Sequence, residues 1–385
     1  MTDPYQGRTQ TKAKHFILRR YLETLTYKLF ASGYRELTYV DGFSGPWGSK
    51  TDTFADTSFM IAIDVLKNAH WQFRAKNKLK ITKCFFVEED PKSFQKLEAS
   101  VRPYHQPADN FHVATFEGRF ENAISEILKF VGRSFALVFI DPTGWTGYPY
   151  DRIKPILTHR PNEVLINFMY DHINRASSMG DPKTVASLDR ILGGPGWKTR
   201  LSQNISKGLA VEQLFREELK KAGAFKYVLS TRIDKATADR PHYFIAYCTM
   251  SPAGVKAFRQ VEFDALKGHE KVRVQEKVET KKKKTGQEEL FKGEDVLQNQ
   301  SIISVVRANC RKAKAWITSH LRERKAPVRF ESLCTMVLEQ FMLRETDVKN
   351  ICVDLANEGV IKVPWKLETP KKLKPHDRSV IELVA

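Results

Sequence analysis

The sequence predicts an α/β protein whose mostly parallel sheet is covered by helices on both faces. A charged connection and a smaller α+β domain of winged-helix type follow. Three observations carry this. Over the first 250 residues short apolar runs alternate with amphipathic stretches, the pattern of a parallel sheet packed between helices. Two later runs, "FKYVLSTRI" and "PHYFIAYCTM", stand too close together for a crossover helix and are expected to pair antiparallel. Finally, "LTYVDGFSGPWGSK" (Leu37 to Lys50) falls from an apolar strand into a glycine-rich turn, as open α/β sheets do where they cradle a nucleotide.

The elements follow in order. "TKAKHFILRRYLETLTYKLF" places Phe16, Leu18, Tyr21, Leu22, Leu25 and Leu29 at helical spacing ahead of the first strand, "LTYVDGF". "TSFMIAIDVLKNA" is the next helix, and "LKITKCFFVEED" a second buried strand ending in acids. "PKSFQKLEASV" opens with proline, as helices do. "FHVATFEGRF" is a third strand and "ENAISEILKFV" a helix. "FALVFIDPTGW" holds the fourth and most apolar strand, and "NEVLINFMY" the fifth. Five parallel-type strands closed by an antiparallel pair outline the class I methyltransferase sheet, with a Rossmann-like domain expected over residues 1–268.

Residues 269–297, with "EKVETKKKKTGQEELFKGEDVLQNQ", are polar and strongly charged, and are expected to be a solvated linker. Residues 298–385 hold three helical stretches and a β-like ending, the order of a winged helix. In "TDVKNICVDLANEG", Thr346 is the expected cap, Val348, Ile351, Cys352 and Leu355 the apolar stripe, and Gly359 the stop. As the third helix it would be the one that reads nucleic acid, with Lys362, Lys366, Lys371, Lys372 and Lys374 in the wing. The alternative is a domain that docks a protein partner.

Composition narrows the function. Hydrophobic content of 42% excludes a wholly disordered chain. No apolar run nears the ~18 residues of a membrane span, and the N-terminal stretch lacks a signal-peptide core. Five scattered cysteines without a CxxC read as reduced thiols of a cytoplasmic protein, with no metal site of their own. The net charge is +18. Residues 251–385 hold 27 Lys+Arg against 19 Asp+Glu, a surplus of 8, so no single tail explains the excess. A polyanion is the natural partner, nucleic acid ahead of a membrane surface.

Candidate site residues sit where the strands end. Asp41 closes the first strand, and the amides from Gly42 to Gly45, across Phe43, are expected to face the methionine part of S-adenosylmethionine. "DGFSGPWG" is not G-x-G-x-x-G; it is nearer the D-x-F-x-G-x-G form, with Trp47 in place of the last glycine. Glu88, with Glu89 and Asp90 beside it, is the candidate for the ribose hydroxyls. Glu117, or the amide of Gly118, is the candidate for adenine. "VFIDPTGW" departs from the Asp/Asn-Pro-Pro-aromatic motif of amino-group methyltransferases, since Thr143 replaces the second proline and Trp145 stands one place late. Asp141 and the Pro142 carbonyl are the candidate amine acceptors, and Trp145 either stacks on a flipped base or packs in the fold. Asn167, Tyr170 and Arg175 are candidate substrate contacts on the same rim, and Lys14 and His15 of the first helix are expected within reach of the pocket. No hydrolase, zincin or P-loop motif occurs.

In order along the chain, "KHFILRRYLE", "YVDGFSGPWG", "FFVEED", "FIDPTGWTGYPYDRIKPIL" and "EVLINFMYDHINR" resemble the three-Cys-motif partner proteins. The resemblance implies a methyltransferase-like Rossmann fold. It also implies a partner protein with three cysteines, of the type that ligates an iron–sulfur cluster in radical S-adenosylmethionine chemistry. Two functions remain: a methyltransferase acting on nucleic acid, or a non-catalytic subunit of that fold which binds nucleic acid or a partner.

Overall fold

Six consecutive apolar residues, Phe135–Ile140, are all buried and form β4, the middle strand of a seven-stranded sheet. This computed structural model describes residues 5, 8–46, 48–235, 238, 240–285, 301–363, 365 and 373–384. It divides into two compact units, 1–250 and 251–385.

In the first unit α1 (Thr9–Ala31) precedes β1 (Glu36–Asp41), α2 (Ser58–Ala75), β2 (Ile81–Glu88), α3 (Pro91–Val101) and β3 (Phe111–Glu117). Then come α4 (Phe120–Val131), β4, α5 (Tyr150–Thr158), β5 (Asn162–Phe168), α6 (Tyr170–Ala176) and α7 (Pro182–Asp189). The unit closes with α8 (Lys207–Ala222), β6 (Tyr227–Asp234) and β7 (Pro241–Thr249). The strand order is β3-β2-β1-β4-β5-β7-β6. β1 to β5 pair in parallel, and β7 lies antiparallel between β5 and β6. That is the class I methyltransferase arrangement, and the sheet agrees with the sequence expectation.

The register puts Tyr39 of β1 between Cys84 of β2 and Leu137 of β4, all three fully buried. β3 at the edge is only partly buried, because no further strand covers it. On one face α4 presents Phe120, Ala123, Ile124, Ile127 and Val131 to the core. This is the i, i+3, i+4, i+7 stripe of an amphipathic helix, and each large side chain in it contributes about 1.5–3 kcal/mol of burial. On α1 the expected stripe is right except at Phe16, which is 38% exposed while Ile17 is buried.

α1 is fastened to the sheet at three levels. The Tyr243 hydroxyl of β7 donates to the Gln10 carbonyl, Lys14 pairs with Asp141, and the Tyr21 hydroxyl donates to Glu163 at 2.6 Å. Glu163, at the start of β5, also accepts from Thr249 at 2.8 Å. Burial pushes its carboxyl up, against the hydrogen bonds from Tyr21, Tyr247 and Thr249 that favour the charged form.

The second unit begins earlier than the sequence reading placed it. α9 runs from Pro252 to Thr285, so residue 268 falls inside a helix and 269–285 are helical rather than linker. Residues 286–297 of that stretch lie outside the described residues. Its buried stripe continues from Val255, Phe258, Val261 and Ala265 into His269 and Arg273. A stripe that turns polar while keeping helical spacing carries no apolar signal. After it come α10 (Ile302–Arg324), β8 (Val328–Arg329), α11 (Phe330–Gln340), α12 (Glu345–Asn357) and β9 (Val380–Ile381). β8 pairs antiparallel with β9, and Ile361 bridges to Leu383. Thr346 does not cap α12. Asp347 does, accepting from the Arg344 amide at 2.8 Å and from its guanidinium. Gly359 does end α12, with φ +72°.

Gly42 shows what its turn demands. It does not adopt positive φ; a Cβ there would lie 2.8 Å from Cδ2 of Phe120. Gly42→Ala is therefore expected to cost about 1–3 kcal/mol through overpacking. In urea unfolding the double variant with Phe120→Leu should recover part of that loss, and strict additivity would show that the two do not meet.

Candidate functional site

The turn after β1 is held by its own backbone. The Gly42 amide donates to the Phe139 carbonyl of β4 at 2.9 Å, and the Ser44 amide to the Val87 carbonyl of β2 at 2.8 Å. The Phe43 amide donates to the Asp41 carboxylate at 3.1 Å. These three amides, expected to face a cofactor, are instead spent within the fold; Gly45 lines the cavity described below. Asp41 is fully buried. Burial pushes its carboxyl up to about 6, against hydrogen bonds from Ser58 and the Phe43 amide that favour the charged form.

Glu88 ends β2 at 2% exposure and accepts from the Asp90 amide at 2.8 Å. Its backbone carbonyl takes the Gly118 amide at 2.8 Å, so of the two adenine candidates only the exposed Glu117 remains available.

Asp141, directly after β4, is the centre of the site. One carboxylate oxygen pairs with Lys14 of α1; the other accepts from Asn167 Nδ2 at 2.7 Å, at the end of β5. A carboxylate only accepts, so this bond fixes the Asn167 amide and turns its Oδ1 away. That oxygen is buried and has no hydrogen-bond partner. Arg8, Lys14, His15, Phe43, Asp141 and Asn167 help to line a cavity of about 310 Å³, with Pro142 and Thr143 on the same wall. It lies beyond the carboxyl ends of β1, β4 and β5, where open α/β sheets bind ligands. Two cations and an unpaired acceptor suit the charged head of an amino acid.

The roof of the cavity comes from α1 and its approach. Arg8 pairs with Asp56, which also accepts from Ser49 Oγ at 2.5 Å and the Lys50 amide at 3.1 Å. Burial opposes the charge on Asp56, but these donors outweigh it and hold the carboxyl at about 2. His15 is 7% exposed and shares a hydrogen bond with the Tyr5 hydroxyl at 3.0 Å. Burial first, then Lys14 and Arg8, lower it to about 3. The sequence reading had Lys14 and His15 near the pocket but missed Arg8 and Asp56. They pair across 48 positions with no motif to announce them.

The structure does not bring Trp145 to Asp141. Trp145 packs against the core and donates its indole N–H to Ser187 of α7 at 2.8 Å. It lines a second cavity of about 550 Å³ with Glu89, Arg119, Glu121 and Lys183. Gly147 of that cavity, at φ +89°, lies so close to Phe43 of the first that a Cβ would sit 3.0 Å from the ring. Tyr170 and Arg175 are also away from the first cavity. Tyr170 packs its ring 5.5 Å from Phe244, and the exposed Arg175 donates to the Asp171 carbonyl at 3.1 Å.

No protein-family model and no curated protein matches the chain. Solved structures match at low identity. A Legionella pneumophila protein described under DUF519 is 11% identical over 66% of this chain and 92% of its own, with a TM-score of 0.38. An O-methyltransferase from Bacillus cereus in complex with S-adenosylhomocysteine is 11% identical over 59% and 80%, with a TM-score of 0.31. The methyltransferase domain of bacterial CtHen1 is 8% identical over 60% and 99%, with a TM-score of 0.33. The fold assignment rests on the strand order itself. Among the described residues no helix is long and apolar enough to cross a membrane, and no group of three or more His, Cys, Asp or Glu is placed to hold a metal ion.

The neutral His15 makes a pH prediction. Its folded pKa lies below the unfolded value, so the unfolded chain binds the extra proton first. Stability is full above about 6.5 and falls as pH drops from there toward about 3. Urea unfolding of the chain between pH 7 and pH 4 should show a steeper loss than His15→Gln. Parallel curves would show that His15 does not carry the effect.

Proposed function

We propose that this chain is an S-adenosylmethionine-dependent, methyltransferase-like protein acting on nucleic acid. The observation that carries it is the buried, unpartnered Asn167 Oδ1 beside Asp141 and Lys14, at the carboxyl ends of β4 and β5. The residues present fit the amino-acid end of the cofactor. Lys14 and Arg8 are the cations for its carboxylate, and Asn167 Oδ1 is the acceptor for its ammonium. When bound, S-adenosylmethionine supplies an electrophilic methyl group.

The rest is the work of this chain's own residues. Asp141 and the Pro142 carbonyl accept hydrogen bonds from an exocyclic amine and aim its lone pair, as in enzymes that act on a flipped base. Each carboxylate oxygen of Asp141 keeps a lone-pair site beyond its present partner. α1 roofs the cavity and excludes water, which strengthens these interactions. Glu88 remains the ribose candidate by its place at the end of β2.

The net charge of +18 supports a polyanionic substrate. The helix and strand order of residues 302–381 supports a winged-helix reading of the second unit. The three-Cys-motif partner resemblance supports membership of that family and a three-cysteine protein as partner. Four of its five motifs, on α1 and after β1, β4 and β5, contribute residues to the cavity, and the remaining one ends β2. A second reading, a subunit that binds without methylating, is favoured by the turn amides of Gly42, Phe43 and Ser44, already bonded within the fold.

Calorimetry of the full chain with S-adenosylhomocysteine separates the two. Binding tighter than about 1 mM is expected, weakened at least about tenfold in Lys14→Met by loss of a charge-assisted bond. A melting curve checks that this variant folds. Asp141→Ala should abolish transfer of a labelled methyl group to nucleic acid and should also weaken cofactor binding, because Asp141 holds Lys14 and orients the Asn167 amide. No heat at millimolar ligand, with nucleic-acid binding retained, would establish the binding subunit instead.

A further inference from the structure

We infer that the second unit meets nucleic acid with the outward face of α10, not with α12; this rests on the nucleic-acid reading above. Between Ser301 and Arg329 the sequence holds eight Lys or Arg and a single acid, Glu323. α10 turns Ala313, Ile317 and Leu321 into the core. Arg307, Arg311, Lys312 and Arg322 stand exposed on the remaining surface. Among the described residues none of these four has a carboxylate partner.

At 100° and 1.5 Å per residue, Arg307, Arg311 and Arg322 fall within about 60° of one another along about 22 Å of helix. Ala315 and Ser319, also exposed, lie between Arg311 and Arg322 and are too short to hold a partner's backbone away. At the helix end and just past it Arg324, Lys325 and Arg329 extend the same sign of charge, all exposed. A row of unpaired cations with fixed spacing is complementary to a phosphate backbone, and guanidinium is the group that pairs phosphate best.

α12 is the opposite case. Its exposed side carries Asn350 and Asp354, and Glu358, just past its end, pairs with Lys314 of α10 at 2.5 Å. Lys349 is paired with Glu345 at 2.8 Å, and Asp347 is occupied by Arg344. In the wing, Lys362 pairs with Glu382 at 2.9 Å and Lys374 donates to Asn350 at 2.7 Å. Lys366, Lys371 and Lys372 lie outside the described residues. A helix whose lysine is already paired and whose outer side carries the acid Asp354 offers phosphates little, so the order of elements does not make α12 the reader here.

The test measures binding of the full chain to a labelled 20-base-pair duplex, as DNA and as RNA, across salt concentration. The variant is Arg307→Gln, Arg311→Gln, Lys312→Gln and Arg322→Gln together; a melting curve checks its fold. A control neutralises the exposed Lys76 and Lys78 of the first unit. The α10 variant is expected to lose about one unit of log–log salt slope per phosphate contact removed, three to four in all, on one or both duplexes. The control should lose little. If the wild type binds and the α10 variant keeps its slope, the inference falls while the nucleic-acid reading stands. An equal loss per charge in the control would also overturn it, since binding would then follow net charge. If the wild type binds neither duplex at low salt, the nucleic-acid reading itself fails.

Discussion

A carboxylate at the end of a buried strand has to find donors, and much of the first unit is arranged around the donors Asp141 finds. Water reaches it poorly, its side chain being 14% exposed. Lys14 comes from a helix more than 120 residues away in sequence, and Asn167 from the neighbouring strand. Such a pair adds little net stability, because desolvating both charges offsets their attraction, yet removing one partner costs several kcal/mol. The arrangement therefore ties α1 to the sheet without itself being a reason for the fold. Its consequence is chemical: charged and polar groups converge in a cavity of about 310 Å³.

The start and the middle of α1 show how polar groups are used differently on one helix. Near the cavity, Lys14 and Arg8 leave the neighbouring Asn167 oxygen unpaired. Two turns on, Tyr21 belongs to a closed cluster with Tyr247, Glu163 and Thr249. Burial pushes both tyrosine hydroxyls well above their usual range, so they stay neutral donors. A closed network specifies the position of the helix, whereas an open one invites a ligand.

The glycine-rich turn after β1 has a related lesson. A turn stripped of side chains signals close approach, but not of what. At Gly42 the approaching group is the ring of Phe120 from α4, and the amides beside it are bonded to β2, β4 and Asp41. In the second unit, the same caution applies to helices. Position in the order α10, α11, α12 suggested one face for nucleic acid, while the pairing of charges leaves another face unneutralised.

The sequence by itself determined the class of sheet, the order of its strands with the helices up to α4, and the acids at the strand ends; α5, α6 and α7 were not read from it. Period-2 and period-3.6 patterns survive in a linear reading because they report on local burial, and Phe135–Ile140 could be little else than a central strand. It determined Asp41, Glu88, Asp141 and Asn167 as site candidates for the same reason: they directly follow or end such strands. Only the tertiary structure decided which of them share a cavity. Trp145 goes to Ser187, Tyr170 to Phe244, and Arg8 to Asp56, through contacts across tens of residues. α9 escaped the linear reading because its buried stripe passes from apolar residues into His269 and Arg273. Contacts distant in sequence leave no period in it, and a polar residue declares burial only once its neighbours are in place.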